Sequence, residues 1–277
     1  MQQKLKSEDF SHQSDSSTGR IDELERYYKP IEILDNWDHW VFWLSIILSI
    51  VVFFKASIPW PLLQSSVEVL FIVSVVIHVT LSLYVRFHLF PLAERKRRRQ
   101  LLSDSFSVPL ISETTQKYYN NEISPSVARL GANVLENTLF AKNICLRMAV
   151  KERKQILVYF TAWIMALSFR STDLGLLVII TQTLLSSEII ENWIRIELLR
   201  HETENFYDEL YSQFLHKVDL STMHGVASIL DTFSAYEAIK SMTGIRQLRS
   251  IFFEINPELS KEWDKTRQKL EIDVYEK

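Results

Sequence analysis

The sequence predicts an all-α membrane protein with two transmembrane helical hairpins and a cytoplasmic helical region. Three observations predict it. Residues 37–90 hold two long apolar runs separated by little more than "IPWP". A shorter apolar pair at 156–190 repeats that arrangement, and lysine and arginine crowd the segments outside the two short turns. Only 5 of 277 residues are glycine. Such scarcity argues against glycine-rich phosphate loops and against many tight β-turns. No segment shows convincing strand alternation.

Composition narrows the class further. A chain of 277 residues accommodates one or two domains. The net charge of −3 does not mark the whole protein as a polyanion binder. The single cysteine, Cys145, excludes an internal disulfide and a cysteine-based zinc site.

Residues 1–20 are polar and serine-rich and lack the apolar core of a signal peptide, so a disordered start is expected. Residues 21–36 read as a short amphipathic helix broken near Pro30. The first hairpin, 37–90, opens with an uncharged stretch at 40–54 flanked by Trp37, Trp43 and Trp60. This is the pattern of a spanning helix with interfacial aromatics. Trp60 lies between Pro59 and Pro61, which marks a tight turn, and the next apolar run has Glu68 as its only carboxylate. The alternative is a buried hairpin of a soluble protein.

Residues 91–155 form a cytoplasmic helical segment, with breaks at "SVPL" and "ISPSV". The second hairpin, 156–190, is built from shorter runs. Fourteen helical residues reach about 21 Å, against roughly 30 Å of hydrocarbon. Flanking cations could snorkel, the bilayer could thin, or the pair could be re-entrant or a soluble core. In the cytoplasmic tail, 191–277, apolar Ile194, Leu198, Phe206, Leu210 and Leu215 recur among charges, as in an amphipathic helix. Two more helices follow. Ser221 or Thr222 would cap the first, and Pro257 would stand in the first turn of the second. "TGIRQLRSIFFEI" between them fits helix or strand.

Charge sets the orientation. The N-terminal arm carries five Lys and Arg and residues 86–154 carry thirteen, whereas the two short turns have only Lys55 and Arg170. The positive-inside rule then places both termini and the central segment on the cytoplasmic side and both short turns outside. The run Arg95, Lys96, Arg97, Arg98, Arg99 is read first as a topology fence against the bilayer. Binding of anionic lipid or nucleotide, or a nuclear address, are the other readings. No aromatic platform surrounds the run, so nucleic acid is not an expected partner.

Polar residues inside the spans are the next candidates. Ser74, His78 and Ser82 share one stripe of the second run, while Thr181, Gln182, Ser186 and Glu188 concentrate at the inner end of the fourth. They either hydrogen-bond between helices or line a pore formed by several subunits. His78 reads as a lone membrane histidine, so no metal site is expected. "HETEN" lacks the second histidine of HExxH, and no GxSxG, Walker loop or GxGxxG is present. Neither enzyme activity nor a cofactor is expected. In the central segment, Tyr118, Tyr119, Asn133, Asn137, Asn143 and Arg147 form an aromatic and amide-rich group. These amides tie a buried helix to loops and the tail, or they form a regulatory surface at the inner mouth.

The order of these parts resembles the SMODS-associated four-transmembrane effectors, a family assigned to pore formation in bacterial antiviral nucleotide-signalling operons. The likeness covers residues 20–270. It rests on the N-terminal helix, two spans with a short turn, a basic exit leading to "SDSFSVPL", two further spans and "GIRQLRSIFFEINPELSKEW". The family's Leu-Pro-Trp stands here as Val108-Pro109-Leu110, and its Pro-Asp-aromatic end as Pro257-Glu258-Leu259. The resemblance implies a homo-oligomeric effector that permeabilises the membrane. It also implies a nucleotide second messenger or a soluble defence partner as the cytoplasmic signal. A scaffold that anchors a soluble partner is the alternative.

Overall fold

A computed structural model describes residues 21–54, 59–113, 115–116, 119, 121–168, 175, 178, 181 and 187–274. The expected disordered start and the turn at 55–58 lie outside the described residues. Seven long helices dominate what is described. They are α1 (Glu25–Phe53), α2 (Pro61–Tyr84), α3 (Phe90–Phe106), α4 (Val127–Ser168), α5 (Asn192–Leu215), α6 (Met223–Thr243) and α7 (Arg249–Lys269). One two-residue antiparallel pairing, Ile21–Asp22 with Thr115–Gln116, is the only strand among the described residues.

α1 and α2 run side by side and antiparallel: Asp38 faces His78, and Ile31 packs with Val85 and Phe90. The helix of α1 and the continuous helix from Pro61 to Phe106 are both long and apolar enough to cross a membrane. Only 17% and 6% of their most apolar windows are buried, so neither is a soluble core helix turned inward. Leu62, Val69, Ile72, Val76 and Phe87 stand outward on α2 and its extension, as do Trp37, Trp40 and Ile47 on α1.

The expected break at Pro30 is not there, and the boundary at 36/37 falls inside α1. Proline removes the backbone donor that would otherwise bond Arg26 O, one helical hydrogen bond in the second turn. Burial of the next residue, Ile31, against Phe90 and Ala93 holds the helix through the gap. Pro257 is likewise inside α7 rather than in its first turn. The apolar face Phe252, Ile255, Leu259 and Trp263 crosses it with 3–4 spacing, and packing outweighs the lost hydrogen bond. "RSIFFEI" is therefore helix, not strand.

The polar half of α4 and residues 192–274 form a bundle. Its main core joins Leu130, Val134 and Leu139 of α4 to Leu210 and Phe214 of α5, Ile229 of α6 and Trp263 of α7. A second cluster joins Ile144 and Met148 to Ile196, Leu199 and Leu259. Gly131 permits the close approach: a Cβ there would lie 2.8 Å from Ile229 Cδ1. Thr222 rather than Ser221 caps α6, its Oγ1 accepting from Gly225 N at 3.1 Å. Gly244, at φ 61°, ends α6 in the left-handed conformation that glycine adopts without Cβ strain. α4 then continues without a break past 155/156 to Ser168, so its polar and apolar halves are one helix. Within the apolar half, Leu157, Val158, Ile164 and Met165 are exposed.

Candidate functional site

The apolar helix pair holds a strongly polar contact between its two helices. Asp38 Oδ1 lies 2.8 Å from His78 Nδ1, and both side chains are largely buried. The Phe42 ring covers the imidazole, with centroids 5.4 Å apart. His78 is therefore not the lone histidine that the sequence suggests; its carboxylate comes from the other helix. Asp38 was missed because it precedes the uncharged stretch. The signal that could have found it is the antiparallel pairing itself, which brings 38 level with 78. At about 1.5 Å per residue, His78 stands about 26 Å along α2 from Pro61.

The other members of the proposed pore stripe divide. Ser74 is buried and its Oγ donates to Phe71 O at 2.7 Å. Ser82 is half-buried on the same helix. Thr181 Oγ1 accepts from Trp163 Nε1 at 2.9 Å, joining the third and fourth apolar segments. Gln182 and Ser186 lie outside the described residues. Glu188 is placed only by its backbone, in a π-helical turn at Ser187–Glu191. Trp43 and Tyr159, 6.1 Å apart between centroids, bring α1 against the apolar half of α4.

Where the apolar segments become polar, the backbone changes in the same way twice. π-helical turns interrupt the helices at Val85–Leu89 and at Ser187–Glu191. Such turns insert one extra residue per turn and recur at functional sites. An ion pair joins the two, Arg86 Nη1 to Glu191 Oε1 at 3.0 Å. Glu191 also lies 3.6 Å from Arg195, which donates to Thr243 O at 3.2 Å at the end of α6. Three residues on, Arg246 donates to Asp35 of α1 at 3.2 Å. These contacts form a polar collar around the junction between the apolar helices and the bundle. Asp35 and Asp38 are three residues apart on one face of α1, so the collar adjoins the Asp38–His78 contact.

The basic run takes two directions. Lys96 donates to Glu113 at 3.0 Å, and Arg97 grips both oxygens of Asp22 at 3.2 and 2.8 Å. These two cations are bound within the chain and not turned to a lipid surface. Helical spacing aims them at α1 and the following loop. Arg95 and Arg99 are exposed and Arg98 is half-exposed; none of the three makes an ion pair among the described residues. Glu113 also accepts from Arg26 at 2.7 Å and from Tyr27. The Tyr27 hydroxyl, with Lys96 and Arg26, holds the Glu113 carboxyl well below the usual carboxylate range.

The one acid of the run, Glu94, is the anchor that sequence reasoning overlooked. Its Oε1 accepts from Tyr28 at 2.8 Å and its Oε2 lies 3.0 Å from Lys240 Nζ of α6. The latter is an ion contact outside hydrogen-bond geometry, which leaves Oε2 without a hydrogen-bond donor. Lys240 also donates to Glu237 at 2.9 Å. Burial alone would lower the Lys240 ammonium, but Glu94 and Glu237 outweigh it and raise it well above the usual lysine range. Burial would likewise raise the Glu94 carboxyl; Lys240 and Tyr28 reverse that and lower it. The cluster is thus a charged one, binding α6 to α3 and α1.

The amide group of the central segment serves α3 and its following loop. Asn133 is fully buried and donates to Asp104 at 3.1 Å and to Ser105 at 2.9 Å, while accepting from Asn121 at 2.7 Å. Arg129 reinforces Asp104 at 3.2 Å. Asn137 donates to Tyr119 at 3.0 Å, and Asn143 to Leu139 O at 2.8 Å. The expected tie to the tail is instead a tie to α3. Arg147 does reach the tail, through an exposed 3.7 Å pair with Glu254, and Tyr119 packs against the core that the tail shares. Tyr118 lies outside the described residues. No group of three metal-ligating side chains occurs among the described residues.

Neither a protein-family model, nor a curated protein, nor a solved structure matches this chain. The functional reading therefore rests on the chain's own geometry and on the family resemblance of its sequence.

Proposed function

We propose that this chain is a multi-pass effector of the bacterial inner membrane in antiphage defence. On a cytoplasmic signal it oligomerises and permeabilises the bilayer. In this reading α1, α2 and the apolar segments around 156–190 span the membrane, and both termini are cytoplasmic. The observation that carries the reading is continuity. The apolar helix from Pro61 runs on into α3, and α4 runs from the bundle core into its own apolar half. A displacement in the bundle would thus reach the spans through helix, uninterrupted in α4 and passing a π-helical turn between α2 and α3. The collar stands at the level where that displacement would enter.

No enzyme activity, metal or cofactor is part of the proposal. A nucleotide second messenger or a soluble defence partner would supply the signal, and a nucleotide cyclase gene beside this one would favour the former. Expression would be induced together with neighbouring genes during phage infection, while membrane potential and dye exclusion are followed. Collapse of both is the expected result; if both persist, the pore reading fails. Reporters after Gln100 and near Pro59 should report cytoplasmic and external positions, and reversal of either would overturn the arrangement.

A second reading is a membrane scaffold that anchors a soluble partner. The engagement of Ser74, His78 and Thr181 in packing favours it, since these side chains bond protein rather than an aqueous path. It predicts a stable co-purifying partner and an intact membrane.

A further inference from the structure

We propose that the α6–α7 corner is an autoinhibitory clamp. Lys240, Arg246 and Arg249 hold acids of α1 and α3, and their release frees α1 to shift Asp38 against His78. The inference rests on the reading of α1 and α2 as membrane spans. α1 carries acids at 25, 32, 35 and 38, whose directions turn steadily around the helix, and three of the four meet the corner. Glu25 pairs with Arg249, Asp35 with Arg246 at 3.2 Å, and Glu32 lies 3.9 Å from Arg246. The fourth, Asp38, holds His78. One helix therefore divides its acids between the bundle and the partner span.

The kind of contact makes this a releasable joint. The buried apolar neighbours of Ile31 on α1 are Val85, Phe90 and Ala93, in the helix that starts at Pro61. The buried apolar residues of the corner, Ile245, Ile255 and Leu259, pack instead on α4 and α5. No residue is common to the two clusters. Ions join them, and parting ions that can return to water exposes little apolar surface. Arg249 is partly open to solvent, so a competing anionic or acidic ligand can reach it first; Arg246 is largely covered, but its partners Glu32 and Asp35 stand partly in solvent. Lys240 is enclosed, and its bond to Glu94 forms the deeper, slower half of the clamp.

The test uses the full chain in its membrane. In R246E combined with R249E, leak without any signal should rise about tenfold over wild type, within the usual span of coupling between sites. Adding E25R and D35R, which restores opposite charges, should return it to the wild-type level. Conversely, cysteines at 35 and 246 bridged by a bismaleimide should abolish the leak seen during infection. The clamp is overturned if wild type leaks on infection while the reversed-charge variant leaks no more than wild type, or if the bridged protein still leaks. If wild type never leaks, the pore reading fails by itself. The clamp is then judged by amide exchange over residues 25–38. Faster exchange in the reversed-charge variant supports it, and unchanged exchange overturns it.

Discussion

The apolar helix pair and the bundle follow opposite rules of burial. In the pair, Leu62, Ile72 and Val76 face outward while Asp38, Ser45 and Ser74 are buried. In the bundle, Leu130, Leu210 and Trp263 are buried, and most charges lie outside. The difference is what the proposed membrane setting of the pair would give. Water drives apolar groups inward, whereas a hydrocarbon solvent gives them no such drive and leaves polar groups to seek each other. The bundle holds by hydrophobic burial; the pair holds by shape and a few hydrogen bonds. The collar is where one rule gives way to the other, so ions rather than apolar side chains form much of that joint.

The sharpest way to break the comparison is to delete one large side chain from each region. W263A should cost the bundle about 3–5 kcal/mol, since Trp263 is fully buried. I72A on the outward face of α2 should leave the fold's stability nearly unchanged. Chemical denaturation of the purified protein in lipid would compare them. Equal losses would mean that the outward face of α2 is covered by protein.

The next effect concerns the buried charges. K240M strands Glu94 and Glu237 and should cost about 3–5 kcal/mol. Pairing it with E94M and E237Q should recover most of that loss in the same denaturation measurement. A loss that persists in the triple variant would assign the cost to packing instead. The folded-state Lys240 pKa is raised, so the stability it adds is fully present below the ordinary lysine value. That stability falls as pH rises toward and through the raised value. Melting followed from pH 9 to 12 should show the decline in wild type and a smaller one in the triple variant.

Smaller changes sharpen the polar side of the comparison. N133A leaves Asp104, Ser105 and Asn121 short of partners inside the bundle and should cost about 1–3 kcal/mol. H78A in the apolar pair should cost less, about 0.6–2 kcal/mol. Unfolding in lipid would order the two. A larger loss for H78A would show that the Asp38–His78 contact is the main tie of the pair.

How far these features were legible follows from the range of each cause. The two long apolar helices and a cap at Ser221 or Thr222 depend on neighbouring residues, so the sequence exposes them, and the structure selects Thr222. Pro30 and Pro257 misled because proline's local effect is visible in sequence, whereas the buried faces of Ile31 and Leu259 that outweigh it are not. Lys96 and Arg97 counted with the other cations of the run, since nothing adjacent shows that Glu113 and Asp22 will meet them.

By itself, then, the sequence determined where helices would be apolar and where charge would gather. Those are properties of consecutive residues and of the helical repeat. Tertiary structure alone decided which charges meet. Asp38 finds His78, Glu94 finds Lys240 and Asp35 finds Arg246 across long stretches of chain, because antiparallel packing sets their level. Coulomb and hydrogen-bond contacts act over a few ångströms, so only the folded arrangement tells a surface cation from one half of a clamp.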